Sequence, residues 1–263
     1  MTEKKCMLQA HRGVSSDRPE NTMVAYREAV AQGYDLIELD PKMTKDNVPV
    51  LLHDKSINRT ARDKDGKKIE GDKVFIADLT YAEACEYEYG SWFAEEYKGE
   101  HMPLLSEVLE FSKAAKIPLK FDNCMQNFTD EQLDVFFTVV EEVGDMSLIG
   151  FTGSELSYLD KVITRLPLVD IHYDGPWTDE AREYLTSRVK KEKLTVWLRF
   201  DNKATSWNKN VPANKENSAE IKKHARLGLW LLATREEYDV AVNDFGADVI
   251  ETNGALKPPA SAL

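Results

Sequence analysis

Two of the five histidines in this 263-residue chain are followed directly by a charged residue: His11 by Arg12 and then Gly13, and His53 by Asp54. Imidazole changes charge near neutral pH, so a pair of them can serve as base and acid in one catalytic cycle. The charged neighbours can orient a ring or a substrate, and the Arg12 guanidinium offers a planar fork for a phosphate. Between the histidines lie Glu38 and Asp40. On a strand, that spacing of two puts both carboxylates on one face. Carboxylates held together repel unless one is protonated or a cation lies between them, and Asp122 from a later strand would add a third. Oxygen-only ligands of this kind suit one hard divalent cation, Mg2+ or Ca2+, with positions left open for water or substrate. The competing use of Glu38 and Asp40 is to bond loop backbone and arginines at a rim. His101 and His224 fall in a loop-rich stretch and on a helix, and read as structural or solvated.

These groups need a scaffold that gathers the ends of several strands. Short apolar or β-branched runs predict strands at Cys6–Ala10, Leu36–Asp40, Pro118–Asp122, Ser147–Phe151, Leu168–His172, Thr195–Phe200, Leu229–Ala233 and Val249–Glu251. Helical periodicity fills most of the gaps, with Leu133, Phe136, Phe137, Val140 and Val143 forming one apolar stripe. Thr129 with Gln132 and Thr234 with Glu237 have capping-box spacing, and Gly33, Gly144, Gly228 and Gly246 fall where helices should end in a left-handed residue. Eight strands alternating with helices favour an α/β fold of the (β/α)8 TIM-barrel type over an open doubly wound sheet. In such a barrel the functional groups sit at the C-terminal strand ends, and there stand His11–Arg12, Glu38 and Asp40, Asp122 and, after an accessory strand at Pro49–Leu52, His53. The charged, loop-rich stretch 54–102, with a DKDGKK turn and a capping box at Thr80 and Glu83, reads as an insertion on the catalytic face of one domain spanning residues 1–263. The tail after Gly254 is expected to fray.

Composition narrows the class. A net charge of −12 and a pI near 5.0 argue against a general grip on nucleic acid or an anionic bilayer. With 42% hydrophobic and 30% charged residues the chain should fold. The polar start Met1–Lys5 carries no signal core, and no apolar run approaches a membrane span, so a cytoplasmic enzyme without stable membrane association is expected. Cys6, Cys85 and Cys124 are odd in number and lack CxxC spacing, which suits buried free thiols.

The motifs taken in order, HRG at 11–13, PENT at 19–22, IELD at 37–40, HD at 53–54, NRT at 58–60, LTYAE at 79–83, MPLLSEVL from Met102 to Leu109 and GADVIETN at 246–253, resemble the glycerophosphodiester phosphodiesterase family over nearly the whole chain. The resemblance implies a TIM barrel with a small insertion after HD. It also implies metal-dependent hydrolysis of a small glycerophosphodiester to glycerol 3-phosphate and an alcohol. On the matching positions His11 and His53 become the general acid/base pair, Arg12 a phosphate ligand, and Glu38 and Asp40 metal ligands. Three positions depart from the family pattern. Its third metal ligand, a Glu in an IEIK-like strand, is matched in LKFDNC by Asp122, one methylene shorter, and Mg2+ tolerates such a change less readily than Ca2+. Its following Lys is matched by Cys124, with Lys120, on the same strand face as Asp122, as the candidate substitute. Its WTVN appears as Trp230-Leu231-Leu232-Ala233, so Trp230 either packs on a glycerol or head group or serves the core. Other readings are a lysophospholipase D-like enzyme on another phosphodiester and a non-catalytic barrel that binds phosphorylated ligands.

Overall fold

The computed structural model describes residues 6–200 and 212–259. Its strands are β1 (Met7–Ala10), β2 (Leu36–Leu39), β3 (Pro41–Met43), β4 (Pro49–Leu51), β5 (Leu119–Phe121), β6 (Ile149–Gly153), β7 (Asp170–Tyr173), β8 (Leu194–Arg199), β9 (Arg226–Trp230) and β10 (Val249–Thr252). Its helices are α1 (Met23–Ala31), α2 (Tyr81–Ala84), α3 (Leu105–Ala115), α4 (Asp130–Val143), α5 (Leu156–Arg165), α6 (Asp179–Arg188), α7 (Lys215–His224) and α8 (Arg235–Asn243). Eight parallel strands close in the order β1-β2-β5-β6-β7-β8-β9-β10 and back to β1, while β3 and β4 pair antiparallel outside the ring. With helices between the strands, this is the (β/α)8 barrel that the alternation predicts.

Strand alternation sorts the side chains into two environments. Leu8, Ala10, Ile37, Leu39, Leu119, Phe121, Phe151, Ile171, Val196, Leu198, Leu227, Leu229 and Ile250 join one apolar cluster with the helices. Phe121 meets Phe136 of α4 edge-on at 5.1 Å and Phe151 at 5.2 Å, a geometry worth about 0.5–1.5 kcal/mol per pair beyond area burial. The opposite parity is largely polar and buried: Gln9, Glu38, Lys120, Thr152, His172 and Glu251. Lys120 on β5 reaches Glu251 on β10 at 3.2 Å and lies over the Trp197 ring of β8 at 4.5 Å. None of these strands is a neighbour of another in the ring, so the contacts pass through its interior. Burying that polar set is tolerable because it is largely hydrogen-bonded: Gln9 and Lys120 both donate to Glu251, and Trp197 Nε1 donates to His172 Nδ1 at 3.0 Å.

Several sequence expectations need correction. The seventh barrel strand is Arg226–Trp230, three residues earlier than expected, because pairing with β8 (Thr195 opposite Arg226) and β10 (Val249 opposite Gly228) fixes its register. Gly228 therefore ends no helix. A Cβ there would lie 2.5 Å from the Trp197 ring, so a side chain would displace that indole from the barrel interior. Gly144 caps α4 with φ −76°, not in the left-handed region, whereas Gly33 and Gly246 have φ of +80° and +68°. The boxes at Thr80, Thr129 and Thr234 form as expected. The tail does not fray through its described part. Leu256 is buried, its carbonyl accepts the Tyr34 hydroxyl at 2.6 Å, and Lys257 pairs with Asp17; residues 260–263, like Met1–Lys5, lie outside the described residues. Cys85, at the C-cap of α2, is exposed rather than buried, while Cys6 is buried and Cys124 half-buried.

After β4 the chain builds a small cluster of its own, in which Ile57, Ala61, Ile76, Ala84, Tyr89 and Met102 pack on Val50 and Leu52. Within it, Gly66 N–H bonds the Asp63 carbonyl at 2.8 Å and Arg62 bridges Lys68, which is the turn that DKDGKK predicts. This stretch hangs from the ribbon that carries His53.

Candidate active site

The ends of β1, β2 and β5, together with the ribbon, gather the residues singled out above. Arg12 turns sharply after β1 with φ +56°, which costs a non-glycine residue on the order of 1 kcal/mol. Its backbone N–H then donates to Glu38 Oε2 at 2.9 Å, anchoring the strained turn to β2. The Arg12 side chain contacts Asp40 (Nε to Oδ2, 3.3 Å) and Glu20 (Nη1 to Oε1, 3.2 Å). Asp40 also accepts Asn21 Nδ2 at 2.7 Å, and Tyr26 OH donates to Asn21 Oδ1 at 3.0 Å from the floor of α1.

Glu38, Asp40 and Asp122 offer carboxylate oxygens that all lie within 4.8 Å of one another. Their electrostatics differ. Burial, then Asp40 and Glu251, push Glu38 well above the usual carboxylate range. Burial and Asp40 also raise Asp122. For Asp40 burial is outweighed by Arg12, His53, Lys42 and His11, which hold it below its ordinary value. Two reluctant carboxylates beside a third that is ionised form an arrangement that a cation would relieve.

The two histidines are held differently. His11 Nδ1 donates to Asn253 Oδ1 at 2.5 Å, and its Nε2 lies 3.9 Å from Glu38 Oε2. His53 Nδ1 lies 2.7 Å from Asp54 Oδ1, and Asp54 is gripped by Arg59 through Nε at 2.6 Å and Nη2 at 3.1 Å. Burial alone would raise Asp54, but Arg59 and His53 bring it down to about 2, so it is a carboxylate at neutral pH. It must accept, and His53 Nδ1 must donate.

Both histidines, Arg12, Asp122 and Trp230 line one cavity of about 360 Å³, joined by Lys120, Asn123, Thr152, Asp174, Trp197, Leu231 and Glu251. Glu38 and Asp40 are buried just beneath it, beside Arg12. Cys124 is turned away, its Sγ 3.1 Å from the Pro41 carbonyl, so the cation of this wall is Lys120. Burial and then Asp122 push Asp174 up to about 6; Asn123 donates to its Oδ2 and its Oδ1 is buried without a hydrogen bond. His101 lies 3.4 Å from Glu107 and His224 3.4 Å from Glu220, both away from the cavity as expected.

Glu20, Asn21, Arg59 and Asn253 sit inside motifs quoted above, yet sequence alone assigned them no contact. Asn123 lies inside LKFDNC and likewise had no assigned contact, and Asp174 was missed altogether. The signal for Asp174 was a strand end, but the predicted strand stopped at His172, two residues short of the mouth.

Comparison with known proteins bears on the fold and the family. A glycerophosphodiester phosphodiesterase of Caldanaerobacter subterraneus subsp. tengcongensis is 40% identical over 106 residues, which is 40% of this chain and 40% of that protein. One from Bacillus altitudinis is 40% identical over 101 residues, 38% of each chain. The match thus spans about two fifths of the length of these curated relatives. Among solved structures, an Oleispira antarctica phosphodiesterase in complex with the product sn-glycerol-3-phosphate superposes with a TM-score of 0.75 at 21% identity, covering 95% of this chain and 93% of that one. A glycerophosphodiester phosphodiesterase from Agrobacterium tumefaciens gives 0.65 at 16%, covering 95% and 96%. At these identities the structures speak for the barrel alone. The Glycerophosphoryl diester phosphodiesterase family profile matches residues 11–233, from the first histidine of the cavity to just past Trp230, and the chain belongs to that family.

Proposed function

We propose that the chain hydrolyses a small-molecule glycerophosphodiester to glycerol 3-phosphate and an alcohol. His11 and His53 are the general acid/base pair, Arg12 a phosphate ligand, and Glu38, Asp40 and Asp122 the ligands of one divalent cation, Mg2+ or Ca2+. The observation that carries this reading is the convergence of two ring-oriented imidazoles, a guanidinium and three close carboxylates on one cavity. The carboxylates fit a hard cation by chemistry and by charge, since Glu38 and Asp122 are both raised by burial and by their acidic neighbours. A cation held there would neutralise charge on the phosphoryl oxygens as the pentacoordinate transition state forms.

The chain's own residues supply the rest. Arg12, held between Asp40 and Glu20, presents its remaining N–H groups to the phosphate. With Nδ1 committed to Asn253 or Asp54, each imidazole keeps Nε2 for the reacting proton. One removes it from the nucleophile, water or the neighbouring glycerol hydroxyl, and the other protonates the departing alkoxide. Trp230 and Leu231 give the cavity an apolar wall for glycerol or the leaving group. We read residues 54–102 as part of the same catalytic domain, because Asp54 and Arg59 act from that stretch on His53. No described helix is long and apolar enough to cross a membrane.

The test is release of glycerol 3-phosphate from glycerophosphocholine, glycerophosphoethanolamine and glycerophosphoglycerol. Turnover by the native chain that disappears in H53A and H11A is expected. Undiminished turnover in either variant would remove the two-histidine mechanism, and none on any diester would remove the function.

A further inference from the structure

We infer that Arg59 is a positioning residue that fixes the tautomer of His53 and ties that histidine to the phosphate ligand Arg12; the catalytic meaning of this link rests on the roles just proposed. Arg59 comes from the inserted stretch, not from the barrel. Its guanidinium makes four hydrogen bonds to two carboxylates. Nε and Nη2 go to Asp54 at 2.6 and 3.1 Å, and Nη1 and Nη2 go to Glu20 at 2.9 and 2.7 Å. Asp54 in turn holds His53 Nδ1 at 2.7 Å, and Glu20 holds Arg12 Nη1 at 3.2 Å. The result is a continuous chain, His53, Asp54, Arg59, Glu20, Arg12, that joins two residues of the cavity wall.

Both carboxylates of the chain have a reason to be ionised. Glu20 is held below its usual range because Arg59 and Arg12 outweigh its burial, and Asp54 is brought to about 2 by Arg59 and His53. A carboxylate only accepts hydrogen bonds, so Asp54 selects the Nδ1–H form of His53 and leaves Nε2 for the cavity. Without Arg59, the part-exposed Asp54 and the largely buried Glu20 would be left with one partner each. Trp92 backs the guanidinium at 5.9 Å from its ring centre, further limiting its freedom. The planar fork is what lets one cation grip both carboxylates; an ammonium is a single point of charge. The guanidinium hydrogen bonds are all turned to these carboxylates, so Arg59 acts through its neighbours rather than on the phosphate.

The experiment pairs histidine-ring nitrogen NMR at pH 8.5, where imidazoles are neutral, with steady-state kinetics on glycerophosphocholine in the presence of Mg2+ or Ca2+. The His53 signals, identified by their loss in H53A, should report the Nδ1–H form in the native chain and a mixture with Nε2–H in R59M. R59M should lose about 10- to 100-fold in kcat with KM within about threefold, the pattern of a misplaced catalytic group. R59K, which keeps the charge and guards against a folding defect, should recover only part of that loss. D54N with R59M should lose less than the product of the two single losses, because Arg59 reaches His53 through Asp54. A raised KM at unchanged kcat, or losses that multiply in the double variant, would make Arg59 a direct substrate ligand and overturn the inference. An unchanged His53 spectrum in R59M overturns it whether or not any diester is turned over. A spectrum that shifts in a protein inactive on every diester sustains the hold on His53 and sinks only the proposed function.

Discussion

The strand-start acids at the entry of the barrel and the cluster of Glu38, Asp40 and Asp122 at its exit are neutralised to different degrees. At the entry to the strands, Asp170 is met by Arg226 Nη2 at 2.7 Å and Lys193 Nζ at 3.2 Å, and Asp248 by Lys222 Nζ at 3.0 Å and the Leu227 N–H at 2.9 Å. At the exit, among the described residues, Asp40 has Arg12, but the ion partner of Glu38 is His11 at 3.9 Å and Asp122 has no cation within 4 Å. Acids that stabilise a fold are matched by its own bases. Acids left short of charge in a cavity lower stability, a cost that a bound cation would relieve.

Substitutions at the two ends should therefore fail in different ways. The largest effect is expected for H53A, a loss of about 10²–10⁴-fold in kcat in steady-state assays, with a melting temperature close to that of the native chain. E38Q should lose more than about 100-fold of any metal-dependent turnover, and yet chelator-treated E38Q should unfold at higher denaturant than the native chain at pH 7.5, because the fold no longer holds an acid whose ionisation burial opposes. D170A at the other end should do the reverse, losing about 1–2 kcal/mol of stability from a partly exposed network while kcat/KM stays within about twofold. If E38Q destabilised and D170A inactivated, the contrast between the ends would collapse.

A pH series sharpens the same contrast. Burial and Asp122 raise Asp174 to about 6, whereas an unfolded Asp titrates near 3.8. Below about pH 4 the group is protonated in both states and adds no penalty. Between about 4 and 6 the folded chain keeps a proton that the unfolded chain has lost, so stability falls as pH rises through that window. In chelator-treated protein, D174N should remove this slope and be more stable than the native chain by about 3 kcal/mol at pH 7, with no difference near pH 3.5. The smallest effect is expected at Trp230, which packs on Leu36, Trp197 and Val249 and also borders the cavity. W230A should raise KM about three- to tenfold with kcat nearly unchanged, and a fall in kcat alone would place its role in the core.

Much of this was legible in one dimension for physical reasons. Strand alternation and capping boxes are local codes, so the barrel and the face shared by Glu38 and Asp40 follow from spacing. The seventh strand was misplaced because Gly228 looks like a helix stop in sequence, and only the Trp197 ring across the barrel shows why no side chain fits there. Lys120 could be matched to Asp122 by parity. Its partner Glu251 could not, since that contact spans the barrel interior between strands 131 residues apart. Arg59 lies in a motif whose meaning is a set of contacts to Glu20 and Asp54, 39 and 5 residues away, which no periodicity encodes.

The most direct test of the under-neutralised mouth is glycerol 3-phosphate release from glycerophosphodiesters by protein stripped with a chelator and then given Mg2+ or Ca2+. Silence after stripping, with turnover restored by one of the two ions in the native chain but not in E38Q, is the expected result. Equal turnover with and without the ion would contradict the assignment of Glu38, Asp40 and Asp122 as its ligands.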